Sequence, residues 1–358
     1  NDILMKGPPA LADLFSVTVG FREDRFALTK DLSKFYNCVL ADETTQHLRR
    51  VIWRFGKEEE TPRIFVTTTV NFGDKPAGCI AIAAVRETAA MFGKKDSDAQ
   101  WFLQNRTYVD DCTAGADTMD QLKEISAELE ETVGHGGFKF KETRMSGDPE
   151  PVEGRPKILG LQWDTEADRL AVEIKVNFSG KKKGAKICPD EDLEEDVEAF
   201  IARTKVTKRV IWRVAQAQYD PLGLLAPYLI QMKIVMRNLC AEDGSVKGWD
   251  EPVSESVHNS FKKALEGLRH LREITFPRSV KPREPIKDGS LPLLMMFGDG
   301  SREAYAALAY LRWEMADGSV QVRLVAGKSR VAPLKKITIP RLELMGALLA
   351  VKIGRAHV

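Results

Sequence analysis

The spacing of apolar and polar positions changes period along the chain, and each change marks an element. Residues 25–29 read as a short strand that delivers Asp31, followed by a mixed apolar run over 32–40. Asp42 can N-cap a helix through about Phe55, with Glu43 in its first turn. The β-branched run 63–70 reads as a strand. From Pro76 to about Phe92, Ala, Ile and Val predict a buried helix packed under a sheet. Residues 105–109 have strand-like composition, and 112–115 can return as a second strand, which puts Asp110-Asp111 at a hairpin tip. Thr118 and Gln121 form a capping box for an amphipathic helix to about Val133, ended by His135-Gly136-Gly137. Residues 138–144 alternate Phe and Lys as a strand, and 157–163 with 169–176 read as a hairpin. This order predicts an α+β layer with helices on one sheet face.

Further along, residues 180–190 have the composition of a basic, Gly-containing linker. Helical patterns then dominate, over 193–203, 207–219, 222–240 and 254–268. Residues 277–292, rich in Pro and charge, are expected to form a second boundary. Strands follow at 293–297, ending at Asp299, at 304–313 and at 320–326, with a helix over 339–353. That pattern is the first half of a second α+β domain.

Composition adds bounds. The length of 358 residues suggests roughly two to three domains. Hydrophobic residues at 43% and charged ones at 29% allow a real core. A net charge of +1 does not announce a polyanion partner. A nucleic-acid groove would need a local concentration of cations, such as Lys181-Lys182-Lys183 with Lys186, Lys139/Lys141/Arg144, or residues 204–209. Taken singly, each also reads as a solvated charged loop. Five cysteines without a C-x-x-C pair indicate neither a zinc site nor a disulfide framework, and favour a reducing compartment. No signal peptide opens the chain, and no apolar run reaches the ~18 residues that span a bilayer. Both ends read as cut: Asn1 is not an initiator Met, and the last helix stops in 354–358, which reads as an artefactual tail.

The chemistry centres on Tyr108-Val109-Asp110-Asp111. Adjacent carboxylates repel, and a fold that holds them together does so with bound cations. Mg²⁺ suits such a pair, because it takes one or two carboxylates and leaves room for water and phosphate oxygens. The tetrapeptide taken alone reads as a solvated Asp-Asp turn, because Asp favours turns. Asp31, also at a strand end, can supply a third carboxylate, and two metal ions held by three carboxylates are what in-line nucleotidyl transfer requires. Tyr36 stands close enough to wall the same pocket, and the glycine of Asn71-Phe72-Gly73 lets backbone approach a ligand.

The ordered set Asp31…Tyr36, Phe72-Gly73, Tyr108-Val109-Asp110-Asp111, Gly137-Phe138-Lys139 and Leu159-Gly160-Leu161-x-Trp163 resembles the successive palm motifs of a reverse transcriptase. It is most similar to the polymerase of BEL/Pao-type LTR retrotransposons. The segments Thr207-Lys208-Arg209, Asp220-Pro221-Leu222-Gly223, Trp249-Asp250-Glu251-Pro252 and Ile339-Pro340-Arg341-Leu342-Glu343-Leu344 extend the resemblance to about Lys352. It implies partial fingers and a palm over 1–179, a mainly helical thumb and connection over 180–290, and the N-terminal half of a ribonuclease H-like domain over 291–353. It implies Asp31 and Asp110 as principal ligands of two Mg²⁺ ions (or Mn²⁺), with Asp111 as third carboxylate. Tyr36 would be the steric gate under the sugar. Phe72 and Gly73 would line the nucleotide pocket, with Phe72 in place of the Gln of many retroviral relatives. Lys139 or Lys141 would stand near the triphosphate. Leu159, Gly160 and Trp163 would belong to a primer grip. Asp299 and Glu343 match two carboxylates of ribonuclease H, although Glu343 alone reads as a surface residue of an amphipathic helix. The implied partners are a primed RNA or DNA template, deoxynucleoside triphosphates, and the protease and integrase of the same polyprotein, with no membrane. The implied location is a cytoplasmic virus-like particle.

Two other readings compete. An aspartic peptidase needs Asp-Thr/Ser-Gly turns, whereas Asp243, Asp288 and Asp317 each begin Asp-Gly-Ser, which is the wrong order. A decayed element that only binds nucleic acid is the other. The intact carboxylate set argues against long decay, and the 30 residues before Asp31 imply that this piece alone is a weak or inactive polymerase.

Overall fold

The computed structural model describes residues 2, 4–56, 61–149, 156–176, 201, 205–241 and 248–355. The expected linker at 180–190, nearly all of the 193–203 helix, the lysines at 181–186 and the end of the 354–358 tail lie outside them. The chain divides into two compact units, Asn1–Asp148 and Pro149–Val358. Both are mixed α+β with antiparallel sheets. Among the described residues no helix is long and apolar enough to cross a membrane.

In the first unit, helix α1 (Leu14–Gly20) precedes strand β1 (Phe26–Leu32). Asp42 caps helix α2 as expected, accepting from the Thr45 amide at 3.0 Å, but α2 spans only Glu43–His47. The chain then turns into β2 (Arg50–Trp53), paired with β3 (Arg63–Val66). The capping signal is real, but Val51, Ile52 and Trp53 are β-branched or aromatic and favour the ribbon over further helix. Helix α3 (Ala77–Phe92) follows its pattern. Helix α4 (Asp98–Asn105), capped by Ser97, occupies residues to which the periodicity assigned no element, except Asn105, expected to open the 105–109 strand. Then come β4 (Thr107–Tyr108), β5 (Asp111–Ala116), α5 (Met119–His135), capped by Thr118, and β6 (Phe140–Met145).

The sheet order is β4-β5-β1-β6. Alternation along the strands puts Leu28 and Leu32 of β1, and Cys112, Ala114 and Ala116 of β5, on one face. There they join Val85, Leu103, Leu122 and Leu129 of α3, α4 and α5 in a single core. Asp31 and Asp111 are on the opposite parity, away from that core.

In the second unit, β7 (Lys157–Ile158), β8 (Leu161–Asp164) and β9 (Arg169–Val172) form a meander closed by β10 (Thr275–Pro277). The 157–172 strands therefore group with the second unit. The residues after β10 are also not a loose linker. Arg278 is fully buried and donates to both carboxylate oxygens of Asp168, at 2.8 and 3.0 Å. Arg283 and the Trp163 indole add bonds to the same carboxylate at 2.8 and 3.0 Å.

Helices α6 (Lys208–Ala217), α7 (Ala226–Ala241) and α8 (Glu255–His270) come next in chain order, before β10. The sheet β11 (Leu293–Gly300), β12 (Ala304–Glu314) and β13 (Val320–Val331) precedes helix α9 (Ile339–Gly354). The backbone of α9 rests on β11 through glycine. A Cβ on Gly300 would lie 2.5 Å from the Glu343 nitrogen, and one on Gly346 would lie 2.8 Å from the Asp299 carbonyl oxygen.

Candidate functional site

Strand β1 pairs with β5 in a register that makes Asp31 and Asp111 direct cross-strand partners. The β4–β5 turn is the two-residue sequence Val109-Asp110, between the paired Tyr108 and Asp111. Val109 has φ +57°, a region where a β-branched residue is strained. The Asp110 carbonyl accepts from the Leu32 amide at 2.9 Å, so the turn is tied to the end of β1. Three aspartates thus stand at one end of the sheet.

Their electrostatics agree with that geometry. Burial pushes the Asp111 carboxyl up to about 6, and the charges of Asp110 and Asp31 add to it. Burial and then Asp110 raise Asp31, Lys141 pulls it down, and Glu142 pushes it up. Tyr36 is raised by burial and then by the charge of Asp110. Among the described residues no Lys or Arg forms an ion pair with Asp31, Asp110 or Asp111.

The other side of β1 carries a β-bulge. Asp31 pairs with Glu142 and Leu32 with Phe140, so Lys141 is the extra residue. Such a bulge re-aims a side chain, and here the Lys141 charge reaches Asp31. Lys139 contributes its carbonyl, which accepts from the Ser33 amide at 2.8 Å. Of the two lysines left open by the sequence, Lys141 is the one coupled to a carboxylate. Lys139 and Lys141 were not separable from sequence, because a bulge leaves no mark in the Phe/Lys alternation.

Tyr36 lies in a short 3₁₀ turn, Phe35–Cys38, with its ring edge-on to Phe35 at 5.1 Å. The Asn37 amide donates to the Val70 carbonyl at 3.4 Å, and the Val70 amide to the Val39 carbonyl at 2.9 Å. This links the Tyr36 turn to the residues just before Phe72-Gly73. Phe72 is 74% exposed, and Gly73 has φ +93° with open space where a Cβ would be.

In the second unit, Leu159 and Gly160 take φ of +50° and +87° at the β7–β8 turn, a type I′ pattern. Gly160 is exposed, and a Cβ there would run into the Tyr219 ring. Leu159 is buried, and Trp163 is completely so, its indole spent on Asp168. Asp299 and Glu343 are both exposed and flank the Gly300 contact between β11 and α9. Asp317, which begins one Asp-Gly-Ser, accepts from the Ser319 amide and hydroxyl at 2.9 and 2.6 Å. It makes a turn between β12 and β13.

The donor set of the first unit is all hard oxygen, which fits Mg²⁺ or Mn²⁺ chemistry. Among the described residues no group of three or more His, Cys, Asp or Glu side chains is placed to hold a metal ion by itself. An open site of one or two carboxylates completed by phosphate oxygens is the usual way Mg²⁺ is held.

Residues 207–358 match the Pao retrotransposon-like RNaseH-like domain. The match begins at Thr207, the N-cap of α6, and so takes in α6, α7 and α8 as well as the β11–β13 sheet and α9. No curated protein matches the chain. Solved structures similar in fold include two of a foamy viral protein. The foamy viral protease-reverse transcriptase in complex with RNA/DNA hybrid has 13% identity and a TM-score of 0.53, covering 98% of this chain and 39% of that one. The foamy viral protease-reverse transcriptase dRH in complex with ds DNA has 12% identity and a TM-score of 0.55, covering 98% and 50%. The chain spans half or less of those proteins, and at such identity the likeness is one of fold. Both findings agree with the BEL/Pao-type resemblance of the motifs.

Proposed function

We propose that the chain is the polymerase-bearing part of a BEL/Pao-type retroelement polyprotein, an RNA-directed DNA polymerase that extends a primer with deoxynucleoside triphosphates. The observation that carries this reading is the pairing of Asp31 with Asp111 beside Asp110, on the sheet face turned away from the core. Asp31 and Asp110 would be the principal ligands of two Mg²⁺ ions, with Asp111 as third carboxylate. When bound, the ions would activate the attacking oxygen and stabilise the leaving group.

The protein's own residues divide the remaining work. The β1 and β4–β5 backbones hold the carboxylates in register, so that substrate phosphate meets an assembled set of oxygens. Tyr36 walls the sugar side of the pocket, where an aromatic edge excludes a 2′-hydroxyl, and Phe72-Gly73 lines it nearby. Lys141, rather than Lys139, offers a cation to the triphosphate. The Leu159-Gly160 turn presents backbone to a primer strand while Trp163 supports it from the core. Asp299 and Glu343 would be ligands of a ribonuclease H-like centre. The fold neighbours were solved with RNA/DNA hybrid and ds DNA, which supports a primed template as partner.

Primer extension on poly(rA)/oligo(dT) with Mg²⁺, using the polyprotein product that contains this chain, tests the reading. Incorporation that requires the metal supports it. A folded product that incorporates no nucleotide on any primed template with Mg²⁺ would defeat it.

A further inference from the structure

Strand β1 contains a lysine where its pattern asks for a core residue. Lys30 lies between Leu28 and Leu32 on the inward face and is completely buried. Its ammonium donates to Glu130 of α5 at 2.5 Å and to the Thr143 hydroxyl of β6 at 2.8 Å. It also stands 5.1 Å from the centre of the Phe140 ring. Burying an ammonium is costly, and its carboxylate partner Glu130 is largely exposed, where an ion pair contributes little. Stability alone therefore gives little reason for this residue.

The position of its partners supplies another reason. Thr143 is the direct cross-strand partner of Lys30, and Phe140 pairs with Leu32, on the far side of the bulge. One ammonium thus holds the β6 residues on both sides of Lys141-Glu142. The bulge lies between Asp31 and Leu32, immediately beside Lys30 in sequence. Without that grip, β6 can slip toward a regular ladder, and a one-residue slip sends the Lys141 side chain to the other face.

We propose that Lys30 is a positioning residue that fixes the β6 bulge and so aims Lys141 at the Asp31 end of the sheet, where it meets the incoming nucleotide's triphosphate. The nucleotide half of this proposal rests on the polymerase reading given above.

The test uses Lys30→Met, Lys30→Arg, Lys141→Ala and the Lys30→Met/Lys141→Ala pair in the enzyme that contains this chain. Hydrogen exchange is expected to speed up at amides 139–143 in Lys30→Met while α3 and α5 keep their protection and the melting temperature does not fall. KM for dTTP is expected to rise about tenfold in Lys30→Met, with kcat within about twofold, as for loss of a ground-state charge contact. The double variant should be no worse than Lys141→Ala alone, since Lys30 acts through Lys141. Lys30→Arg should recover most of the loss. Unchanged exchange at 139–143, protection lost throughout the unit, or additive effects on KM would each overturn the proposal. If Lys141→Ala leaves KM untouched, the nucleotide reading of the site fails, and so does the proposed aim of Lys141. Exchange at 139–143 then reports the bulge clamp separately.

Discussion

Asp31 and Asp111 face each other as cross-strand partners at the end of the β1–β5 pair, with Asp110 in the adjoining turn. Directly opposed like charges destabilise a sheet, and burial of Asp111 adds to the cost. Asp111→Asn keeps the shape and removes one charge. The metal-free protein is expected to gain about 1 kcal/mol, while polymerase activity falls, the usual trade at a functional site. Urea unfolding in EDTA beside primer extension checks both signs.

Tyr36 owes its place to the 3₁₀ turn and to the bonds joining that turn to residues 69 and 70. Tyr36→Ala should leave folding intact but weaken the rejection of ribonucleotides. The ratio of kcat/KM for dTTP over UTP is expected to drop about 10- to 100-fold, the range available to a steric pocket. An unchanged ratio would remove Tyr36 from the gate role.

Asp168 anchors the second unit. Burial alone would raise its carboxyl, but Arg278, the bonds from Arg278 and Trp163, and the charge of Arg283 together hold it below the ordinary value of 3.8. A depressed carboxyl stabilises the fold fully above the unfolded value and loses that contribution as pH falls through the folded one. Stability should therefore decline below about pH 4 to 5 in the wild type, and Asp168→Asn should flatten that decline. Arg278→Met, which takes the buried cation away from the Asp168 carboxylate, is expected to cost about 3 kcal/mol at pH 7. Denaturant melts across this pH range measure both.

Gly300 lets β11 touch α9. Its Cβ would fall against the backbone of Leu342 and Glu343, which cannot swing aside as a side chain could. Gly300→Ala is expected to destabilise the second unit by about 1–3 kcal/mol. The first unit should melt as before.

These sites differ in how far sequence could reach them. The α3 and α5 helices announce themselves by apolar spacing and by Thr118 at the cap, and the Asp110-Asp111 turn follows from two strand-like runs around it. Helix α2 misled because a cap reports where a helix starts and says nothing of where Val51-Ile52-Trp53 will end it. Residues 278–283 look like a linker because Pro and charge dominate locally, yet Arg278 is buried by a carboxylate 110 positions away. Lys30 was invisible for the same reason: its partners, Glu130 and Thr143, are brought to it only by the fold. The 157–163 segment was legible as part of a hairpin, while the burial of Trp163 depends on Asp168 and β10.

The central claim is that Asp31, Asp110 and Asp111 form the metal end of a nucleotidyl-transfer site. Primer extension by Asp110→Asn in the enzyme containing this chain tests it most directly. Loss of a principal metal ligand should lower kcat by about 10³-fold or more, with the fold and template binding retained. Extension at the wild-type rate by Asp110→Asn would contradict the assignment.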